Sequence, residues 1–198
     1  SIIHMKLILA SNSKTRIKLL KAAKIQFETE SHGVDEEEVK QSMSGRDPVD
    51  TIEKLAELKA LKVSSKHPES FVIGSDQGLD LEGALFNKAQ DKSEALQQLK
   101  TLNGKTHKLI TSTIVAHNNN IVWRHYDVAE LTMRNMSDAM IEKYIKELKP
   151  EILDVVGCYA IEEEGIKLFN SVKGDIFSIQ GMSVTPLLNF LWNNKLLF

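Results

Sequence analysis

The fold of this chain is decided by the stretch FVIGSDQ, residues 71–77. Its first four residues are apolar or small and include two β-branched side chains, a pattern typical of a strand buried on both faces. Gly78 follows and allows the backbone to turn sharply. We therefore expect the strand to end here and to carry Asp76 to the rim of an open α/β sheet, where such sheets bind ligands. The alternative is a turn aspartate that caps its own loop.

The composition is that of an ordinary globular protein, with 198 residues of which 42% are hydrophobic and 26% are charged. This length suffices for one core, or for one domain with a smaller appendage. A net charge of −2 argues against a nucleic-acid partner held by bulk electrostatics, and no apolar run approaches the roughly 20 residues of a membrane span. The single cysteine, Cys158, excludes an internal disulfide, fits a reducing cytoplasm and is interpreted as a buried residue without a catalytic role.

The beginning of the chain has residues 1–4 ahead of Met5, and these residues look like the remnant of an expression tag. We therefore expect a single domain over residues 5–198. The apolar run at residues 7–10 is too short for a signal peptide and is predicted to be a strand. Together with the cysteine usage, these features predict a cytoplasmic protein without a membrane partner.

The segment after that first strand, residues 11–13, has the sequence SNS and leads into a helical pattern. Ser11 or Ser13 is a natural N-cap. A strand followed by a serine-rich turn and a helix N-terminus presents free amide groups to an anion. Arg16, on the first turn, has the forked geometry that suits phosphate oxygens. The structural alternative is an ordinary N-cap followed by a surface arginine.

Two later segments add charged candidates. The acidic run at residues 35–38 is typical of a solvated face or of the first turn of a helix. Alternatively, one or two of its carboxylates help to hold a divalent cation, since magnesium prefers hard oxygen ligands and shares them with substrate phosphates. Pro48 opens a strongly amphipathic helix. Lys59 lies one residue from its apolar stripe, so the ammonium group either reaches water or points along the sheet edge into a cleft.

The rest of the chain alternates strands and helices with inserted hairpins, which predicts an α/β fold with a mixed sheet. His107 is interpreted as a structural residue. The further predicted elements are a weak strand at 25–32, a hairpin at 79–86 with its turn at 82–83, a helix from Ser93 to Leu102, strands at 109–116, 121–123 and 126–133 with a turn at 118–120, a helix capped by Ser137, and a closing helix at 186–197.

A series of short motifs resembles those of the Maf family of nucleotide pyrophosphatases over nearly the whole chain. They are S-x-S-x-x-R at residues 11–16, VDE at 34–36, A-x-x-K-A at 56–60, GSDQ at 74–77, Lys88 with Asp91, GKTH at 104–107, GCY at 157–159 and GD at 174–175. Each motif alone is weak evidence, whereas their common order and spacing form a strong signal.

The resemblance implies a mixed twisted sheet flanked by helices, with two lobes and a central cleft, as in Maf and ITPase-like proteins. It implies hydrolysis of a nucleoside triphosphate between the α and β phosphorus atoms, which yields a nucleoside monophosphate and pyrophosphate in a house-cleaning role. It also implies a divalent metal cofactor, Mg²⁺ or Mn²⁺, and often a homodimer. The family is further linked to septum formation and cell-division arrest.

Several residues carry chemistry that agrees with this activity. A triphosphate carries about four negative charges, so its site needs fixed cations, for which Arg16, Lys59 and Lys88 are the candidates. The hydroxyl groups of Ser11 and Ser13, together with the amide groups at the helix start, are candidates for binding phosphate oxygens.

Carboxylates are needed to hold a metal against the phosphates, and the candidate set is Asp76 with either Glu36 or Asp35. We expect the nucleophile to be a water molecule. Asp76 is assigned as its proton acceptor or as the ligand that orients it. A free carboxylate is a weak base, with a pKa of about 3.9, but metal coordination acidifies the water and lessens that handicap.

The chain departs from the family pattern at positions that bear on the substrate. Lys14 stands where proline is usual, and Thr15 stands where arginine is frequent. Asn-Lys-Ala at 87–89 replaces a common Gly-Lys-Pro, which makes the role of Lys88 less secure than that of Asp76. Gln-Gly-Met-Ser at 180–183 replaces a usual Gly-Leu-Pro.

The base preference is indicated by two further positions. Members that prefer thymidine and uridine triphosphates commonly have Asp-Thr where this chain has Asp76-Gln77. Gln77 with Glu162 is more similar to the branch that acts on 7-methyl-GTP, since a carboxylate suits a guanine edge and a cationic methylated base. Thr15, a further substrate-binding candidate, matches neither the arginine of the first branch nor the tryptophan expected in the second. We expect a purine-type substrate, with dTTP or UTP as the alternative.

Three other interpretations stay open. A nucleotide-binding regulator of cell division would keep the phosphate cations but would not need the acid. A phosphatase would release single phosphates instead of pyrophosphate, which product analysis distinguishes. An α/β domain whose loop charges are merely solvated is disfavoured by the ordered series of motifs.

Overall fold

The structure is a computed structural model that describes residues 6–198. The interpretation of residues 1–4 as a tag remnant therefore concerns residues outside the described part. The chain divides into two compact units. The first contains residues 6–77, 111–127 and 175–198, and the second contains residues 78–110 and 128–174.

Strands and helices alternate along the described chain. The strands are β1 (Leu7–Leu9), β2 (Glu28–Thr29), β3 (Phe71–Leu81), β4 (Ala84–Leu85), β5 (Thr106–His117), β6 (Asn120–Met133) and β7 (Phe169–Lys173). The α-helices are α1 (Lys14–Ala22), α2 (Glu36–Ser42), α3 (Pro48–Ser64), α4 (Lys92–Leu102), α5 (Asp138–Lys146), α6 (Ile176–Ile179) and α7 (Val184–Asn193), and 3-10 helices span Pro150–Asp154 and Glu164–Leu168. No helix within residues 6–198 has the length and apolar character needed to cross a membrane.

The strands form one mixed sheet in the order β2-β1-β3-β5-β6-β7, and β4 pairs with β3. β1 runs parallel to both β2 and β3, whereas β4 is antiparallel to β3 and β7 is antiparallel to β6. Parallel pairs need a crossover connection and antiparallel pairs need only a hairpin, so both kinds of connection occur in one sheet. The predicted α/β class with a mixed sheet flanked by helices is confirmed. The central cleft stays a prediction.

The core of the first unit lies on both faces of its strands. Side chains alternate between faces along a strand, so neighbouring residues of β3 enter different clusters. Ile73 packs in a cluster with Leu20 of α1 and Leu187 of α7. Val72 packs in a second cluster with Ala56 of α3. Strand β3 is therefore covered by helices on both faces, which explains why its apolar run is continuous rather than alternating.

Gly74 sets how closely α3 approaches β3. A Cβ atom on this residue would lie 2.3 Å from the carbonyl oxygen of Ala56 and 2.8 Å from the amide nitrogen of Ala60. Neither backbone atom can yield without displacing the helix, so only glycine fits here. Asp76, two residues further along the strand, points to the same face. The close approach at Gly74 therefore brings α3 next to Asp76.

The second unit packs α4 and α5 together. Leu99 and Leu102 of α4 and Ile141 and Ile145 of α5 are all buried. A surface pocket of about 420 Å³ in this unit is lined by residues of α5 and the two 3-10 helices, and it contains none of the site residues predicted from the sequence.

His107 and Cys158 are buried in the second unit. Nε2 of His107 lies 2.7 Å from the hydroxyl oxygen of Tyr159, and burial lowers the pKa of His107 to about 4. Burial also raises the pKa of the Cys158 thiol to about 11. Both side chains are thus uncharged near neutral pH, which agrees with the structural roles expected from the sequence.

The central strand is longer than predicted. β3 does not end before Gly78 but continues to Leu81, because its second half pairs with β4 in a hairpin whose turn lies at residues 82–83 as expected. The expectation that the strand ends at the aspartate is therefore wrong. β1 pairs with β3 only as far as Ile73, so Asp76 still lies beyond the end of a neighbouring strand.

Other boundaries shift while the element types hold. Helix α4 begins one residue before Ser93, because its N-cap is Asp91, whose Oδ1 accepts a hydrogen bond from the amide of Glu94 at 2.8 Å. Ser137 caps α5 as predicted. In chain order, the weak strand expected at 25–32 is only Glu28–Thr29, the strands expected at 121–123 and 126–133 are one strand, and the closing helix spans Val184–Asn193 instead of 186–197.

Candidate active site

Lys59 connects two carboxylates in the first unit. Its Nζ lies 2.6 Å from Oδ1 of Asp76 and 2.8 Å from Oε1 of Glu36. The side chains of Lys59 and Asp76 are 5% and 10% exposed, whereas that of Glu36 is 40% exposed. Charge-assisted hydrogen bonds of this kind are roughly twice as strong as neutral ones. Asp76 and Glu36 therefore share one buried cation, and Lys59 does not extend into water.

The ammonium group of Lys59 keeps a donor for a ligand. An ammonium carries three N–H donors; one is donated to Oδ1 of Asp76, and a second faces Glu36, its ion-pair partner at 2.8 Å. Within residues 6–198 the third has no protein acceptor. A phosphate oxygen beside the two carboxylates is a suitable acceptor for it.

The two acidic candidates at the start of α2 have different tasks. Asp35 is the N-cap, and its Oδ1 accepts a hydrogen bond from the amide of Glu38 at 3.1 Å. Glu36, the next residue, contacts Lys59 instead. The sequence left open which of the two lies on the metal side. The geometry favours Glu36.

Ser13 and Ser11 arrange the start of α1. Ser13 is the N-cap, and its Oγ accepts a hydrogen bond from the amide of Arg16 at 3.3 Å. Oγ of Ser11 accepts one from the amide of Ser13 at 3.0 Å. Each hydroxyl keeps its own proton as a donor, because both bonds use it as an acceptor. The two hydroxyl groups therefore remain suited to phosphate oxygens.

Arg16 is held by the carbonyl oxygen of Gly181, to which its Nε donates at 2.7 Å. The same carbonyl accepts a hydrogen bond from Oγ of Ser75 at 2.9 Å. Burial lowers the pKa of the Arg16 guanidinium, and the carboxylates of Asp76 and Glu36 oppose this shift. Because a guanidinium has five N–H donors, its two Nη groups remain available to an anion close to these carboxylates.

A carboxylate holds the segment of residues 175–183 in place. Oδ2 of Asp127 accepts hydrogen bonds from Oγ of Ser178 at 2.5 Å and from Oγ of Ser183 at 2.9 Å. Burial raises the pKa of the Asp127 carboxyl, but the two hydroxyl groups and the neighbouring His125 lower it, and the net shift is downward. The carbonyl group that holds Arg16 belongs to this segment, so its position depends on this anchor.

Gln77 is bound to the same segment. Its Nε2 donates to the carbonyl oxygens of Ser178 and Ile179 at 3.0 and 2.8 Å and lies 3.1 Å from Oγ1 of Thr111. The side-chain amide nitrogen is therefore occupied by protein acceptors. Oε1 has no partner within residues 6–198, so Gln77 could contact a substrate only by accepting a hydrogen bond at Oε1.

The remaining candidates lie in different places. Thr15 is partly exposed in the first turn of α1. Lys88 and Glu162 are exposed and belong to the second unit. The predicted side chains that the first unit brings together around its charged centre are Ser11, Ser13, Arg16, Glu36, Lys59 and Asp76.

The sequence analysis missed His32, which it placed in a weak strand. Burial and the charge of Lys59 lower the pKa of His32. The carboxylates of Glu36 and Asp76 oppose that shift, and Arg16 adds to it. The imidazole therefore lies among the charges of the site. His32 could have been found from its place in the topology: it closely follows a strand that is parallel to β1, so it lies at the same edge of the sheet as the residues that follow β1.

The donor set suits a hard divalent cation that is shared with a substrate. In the part of the chain that the structure describes, no group of three or more His, Cys, Asp or Glu side chains is arranged to hold a metal. Asp76 and Glu36 offer carboxylate oxygens that meet at Lys59. Mg²⁺ is commonly held by one or two carboxylates together with waters and substrate phosphates. The residues therefore fit a metal that binds together with a phosphorylated ligand.

Fold and site together define an α/β protein that places fixed cations and paired carboxylates beside the ends of parallel strands, an arrangement suited to phosphorylated ligands. The family model described as "Maf-like protein" matches residues 6–194. The chain belongs to the Maf family, which confirms the resemblance found in its motifs.

Relatives cover nearly the whole chain. A protein of Caulobacter vibrioides named nucleoside triphosphate pyrophosphatase is 44% identical over 185 residues, which is 92% of each chain. A protein of Ruegeria sp. (strain TM1040) with the same name is 42% identical over 187 residues, 93% of this chain and 94% of the relative. A protein of Brucella abortus named 7-methyl-GTP pyrophosphatase is 41% identical over 193 residues, 96% of this chain and 97% of the relative.

Proposed function

We propose that the protein is a nucleoside triphosphate pyrophosphatase, which hydrolyses its substrate to a nucleoside monophosphate and pyrophosphate. The observation that carries the proposal is the buried Lys59 ammonium that joins Asp76 to Glu36. Triphosphate hydrolysis needs fixed cations for the phosphates and carboxylates for the metal and the water, and this site combines both. The names of the relatives from Caulobacter vibrioides and Ruegeria support the same reaction.

Phosphate binding is assigned to the start of α1 and to two cations of the first unit. Arg16 offers its Nη groups, and Lys59 offers its third N–H. The hydroxyl groups of Ser11 and Ser13 lie at the N-terminus of α1, where the helix dipole favours an anion. Lys88, from the second unit, is proposed as a further cation. These donors stabilise the oxygens on which negative charge increases during the reaction.

Asp76 is the proposed proton acceptor for the attacking water. The bond from the bridging oxygen to one of the two phosphorus atoms breaks, the water oxygen bonds to that phosphorus, the bridging oxygen leaves with the other product, and a water proton passes to the Asp76 carboxylate. The ammonium of Lys59, 2.6 Å from Oδ1, orients this carboxylate. Arg16 and Lys59 hold the phosphate oxygens while the bond breaks.

We further propose that Mg²⁺ or Mn²⁺ binds at Asp76 and Glu36 together with the phosphate oxygens. When bound, such a metal adds positive charge against the phosphates and acidifies the attacking water. Glu36 is assigned in preference to Asp35, because Asp35 caps α2.

The proposed substrate is a purine-type triphosphate with a modified base, such as 7-methyl-GTP, and the alternative is dTTP or UTP. Glu162 is proposed to accept hydrogen bonds from the base, and Gln77 to contribute its Oε1. The name of the Brucella abortus relative, 7-methyl-GTP pyrophosphatase, supports this choice. Thr15, in the first turn of α1, is a further candidate for binding the substrate.

A nucleotide panel tests the reaction. The intact protein is incubated with Mg²⁺ or Mn²⁺ and with 7-methyl-GTP, GTP, UTP or dTTP, and pyrophosphate and phosphate are assayed separately. We expect pyrophosphate release that is lost in Asp76→Asn. Release of single phosphates would identify a phosphatase. Nucleotide binding without turnover would identify the division regulator.

A double variant tests the base preference. Gln77→Thr with Glu162→Gln should shift the order of kcat/KM toward UTP and dTTP. Because Gln77 also anchors residues 178 and 179, thermal unfolding and the single variant Glu162→Gln are the controls. An unaltered order of kcat/KM in a folded double variant would place base selection elsewhere.

We also propose a single domain over residues 5–198, a cytoplasmic location, a homodimer, no nucleic-acid or membrane partner, and a link to septum formation. Sedimentation of the intact protein tests the homodimer, because a monomer at micromolar concentration would contradict it.

A further inference from the structure

His32 lies at the same edge of the sheet as the proposed active site. It closely follows β2, which is parallel to β1, and β1 is parallel to β3. The carboxyl ends of parallel strands meet at one edge. The amide of Glu30 donates to the carbonyl oxygen of Leu9 at 3.0 Å. Nδ2 of Asn12 donates to Oγ of Ser31 at 3.0 Å. The backbone at His32 is thereby tied to the turn that precedes α1.

The backbone fixes which nitrogen of the His32 imidazole carries the proton. The amide of Val34 donates to Nδ1 at 2.9 Å. A nitrogen that accepts a hydrogen bond has no proton of its own, so in the neutral ring Nε2 is the N–H donor. No partner for Nε2 is found within the described residues. The ring therefore presents an unused donor.

The neutral ring is favoured by its surroundings. His32 is half-buried, and burial and Lys59 lower its pKa more strongly than Glu36 and Asp76 raise it. Lys59 is proposed to bind the phosphates, and Glu36 and Asp76 are proposed to hold the metal. The contacts of Glu30 and Ser31 with the end of β1 and the following turn place the imidazole at the sheet edge of the phosphate-binding groups, and the lowered pKa favours its uncharged form.

We propose that His32 is a further substrate-binding residue, whose Nε2–H donates a hydrogen bond to an oxygen of the substrate's triphosphate chain. The inference rests on the proposed function. Ionised triphosphate oxygens act as acceptors, so a neutral donor gains a charge-assisted hydrogen bond. It does so without adding a third positive charge next to Arg16 and Lys59, which would repel them.

The competing role for His32 is that of a turn residue, which uses only Nδ1. Substitution by asparagine or by glutamine tests the roles of Nδ1 and Nε2 one at a time. His32→Asn keeps a short side-chain acceptor for the amide of Val34 but has nothing at the position of Nε2. His32→Gln places an amide N–H donor at about the reach of Nε2. His32→Ala removes both.

The experiment measures binding of the non-hydrolysable α,β-methylene analogues of 7-methyl-GTP and UTP by calorimetry with Mg²⁺ at pH 8, and then KM for the best nucleotide of the panel. We expect Kd to rise at least about tenfold in His32→Asn and His32→Ala, and to remain within about threefold of the wild type in His32→Gln. The control is His67→Asn. The imidazole of His67 is paired with Glu30 at 2.7 Å and has no proposed role at the site, so this substitution should leave Kd unchanged.

The turn role predicts a different pattern. Unchanged Kd in His32→Asn, with a lower Tm only in His32→Ala, would overturn the proposal. The binding assay also separates the two proposals. A wild type that binds the analogues but releases no pyrophosphate from the hydrolysable nucleotides of the panel would contradict the proposed reaction alone, and the Kd series would still decide the role of His32. A wild type that binds neither analogue would contradict both.

Discussion

At the scale of single residues, the site is a balance of charges. Lys59 and Arg16 are cations, Asp76 and Glu36 are anions, and His32 is neutral. Removing one partner of a buried ion pair costs more than the pair contributes, because the other charge is left without compensation. The positive and negative charges are equal in number, so the cluster has no surplus positive charge for a triphosphate. A divalent metal bound with the nucleotide would supply it.

Asp76→Asn should lower kcat by about 10³-fold, because the proposed proton acceptor is lost while the shape is kept. A position at an exposed rim would predict no change in stability. The burial of Asp76 with Lys59 instead predicts a loss of about 1–3 kcal/mol, moderated because Glu36 still pairs with the lysine. Steady-state kinetics per folded molecule and urea unfolding measure the two effects. Activity retained in the folded fraction would assign Asp76 to structure alone.

Glu36→Gln should raise the Mg²⁺ concentration needed for half-maximal activity by at least about tenfold, since a ligand carboxylate becomes a neutral amide. Asp35→Asn is the matched control, because asparagine caps a helix as well as aspartate does. Its metal requirement should equal that of the wild type. A larger effect of Asp35→Asn than of Glu36→Gln in a metal titration would reverse the assignment.

At the scale of elements, the segment of residues 175–183 uses hydrogen bonds where the family pattern has a proline. Ser183 stands at the proline position of the usual Gly-Leu-Pro. Its amide donates to Oγ1 of Thr113 at 3.0 Å, and its Oγ donates to Asp127 at 2.9 Å. Proline offers neither bond, because it has no N–H and no hydroxyl. The carbonyl of Gly181, between these anchors and α6, aims the Arg16 guanidinium.

Asp127→Ala should destabilise the protein by about 2 kcal/mol or more, since it leaves the buried hydroxyl groups of Ser178 and Ser183 without their acceptor. It should also raise KM for the triphosphate through Arg16, with a smaller change in kcat. Asp127→Asn keeps the size of the side chain and one acceptor oxygen, so it should show a smaller loss of stability and a smaller rise in KM. Thermal unfolding and kinetics on folded protein measure this. An unchanged KM in Asp127→Ala would show that the segment does not position Arg16.

At the scale of the whole molecule, buried neutral groups make stability depend on pH. His107 is 1% exposed, and Nδ1 has no hydrogen-bond partner in the described part of the chain. Protonation of the ring would place a charged N–H there with no acceptor. The folded pKa is therefore lowered to about 4, whereas the unfolded chain takes up a proton near the ordinary value of 6.5.

Neutral His107 should therefore make its full contribution to the free energy of unfolding above pH 6.5. As the pH drops from 6.5 to about 4, the free energy of unfolding should decrease by about 3 kcal/mol. Below that pH both states are protonated and the contribution stays constant. His107→Gln removes the titration and should flatten this limb of the pH profile. Urea unfolding between pH 4 and 7 measures it. Parallel pH profiles of variant and wild type would contradict this assignment.

Much of the fold follows from local sequence. Pro48 opens α3, Ser137 caps α5, and Asn118 and Asn119 adopt positive φ in the turn between β5 and β6, because caps and turns depend on near neighbours. The length of β3 cannot be predicted from local sequence, because the second half of the strand depends on pairing with β4. The candidate residues were found in the motifs, but their pairing was not, since motifs are linear and contacts are not.

The sequence by itself determined the α/β class, the family and most of the candidate residues, because hydrophobic periodicity, capping and motif order are properties of the linear chain. Only the tertiary structure decided that one lysine serves both Asp76 and Glu36, that Arg16 is held by Gly181, and that His32 lies among the same charges. The Arg16 contact joins residues 165 positions apart. Such contacts depend on how the helices pack against the sheet, which no local pattern encodes.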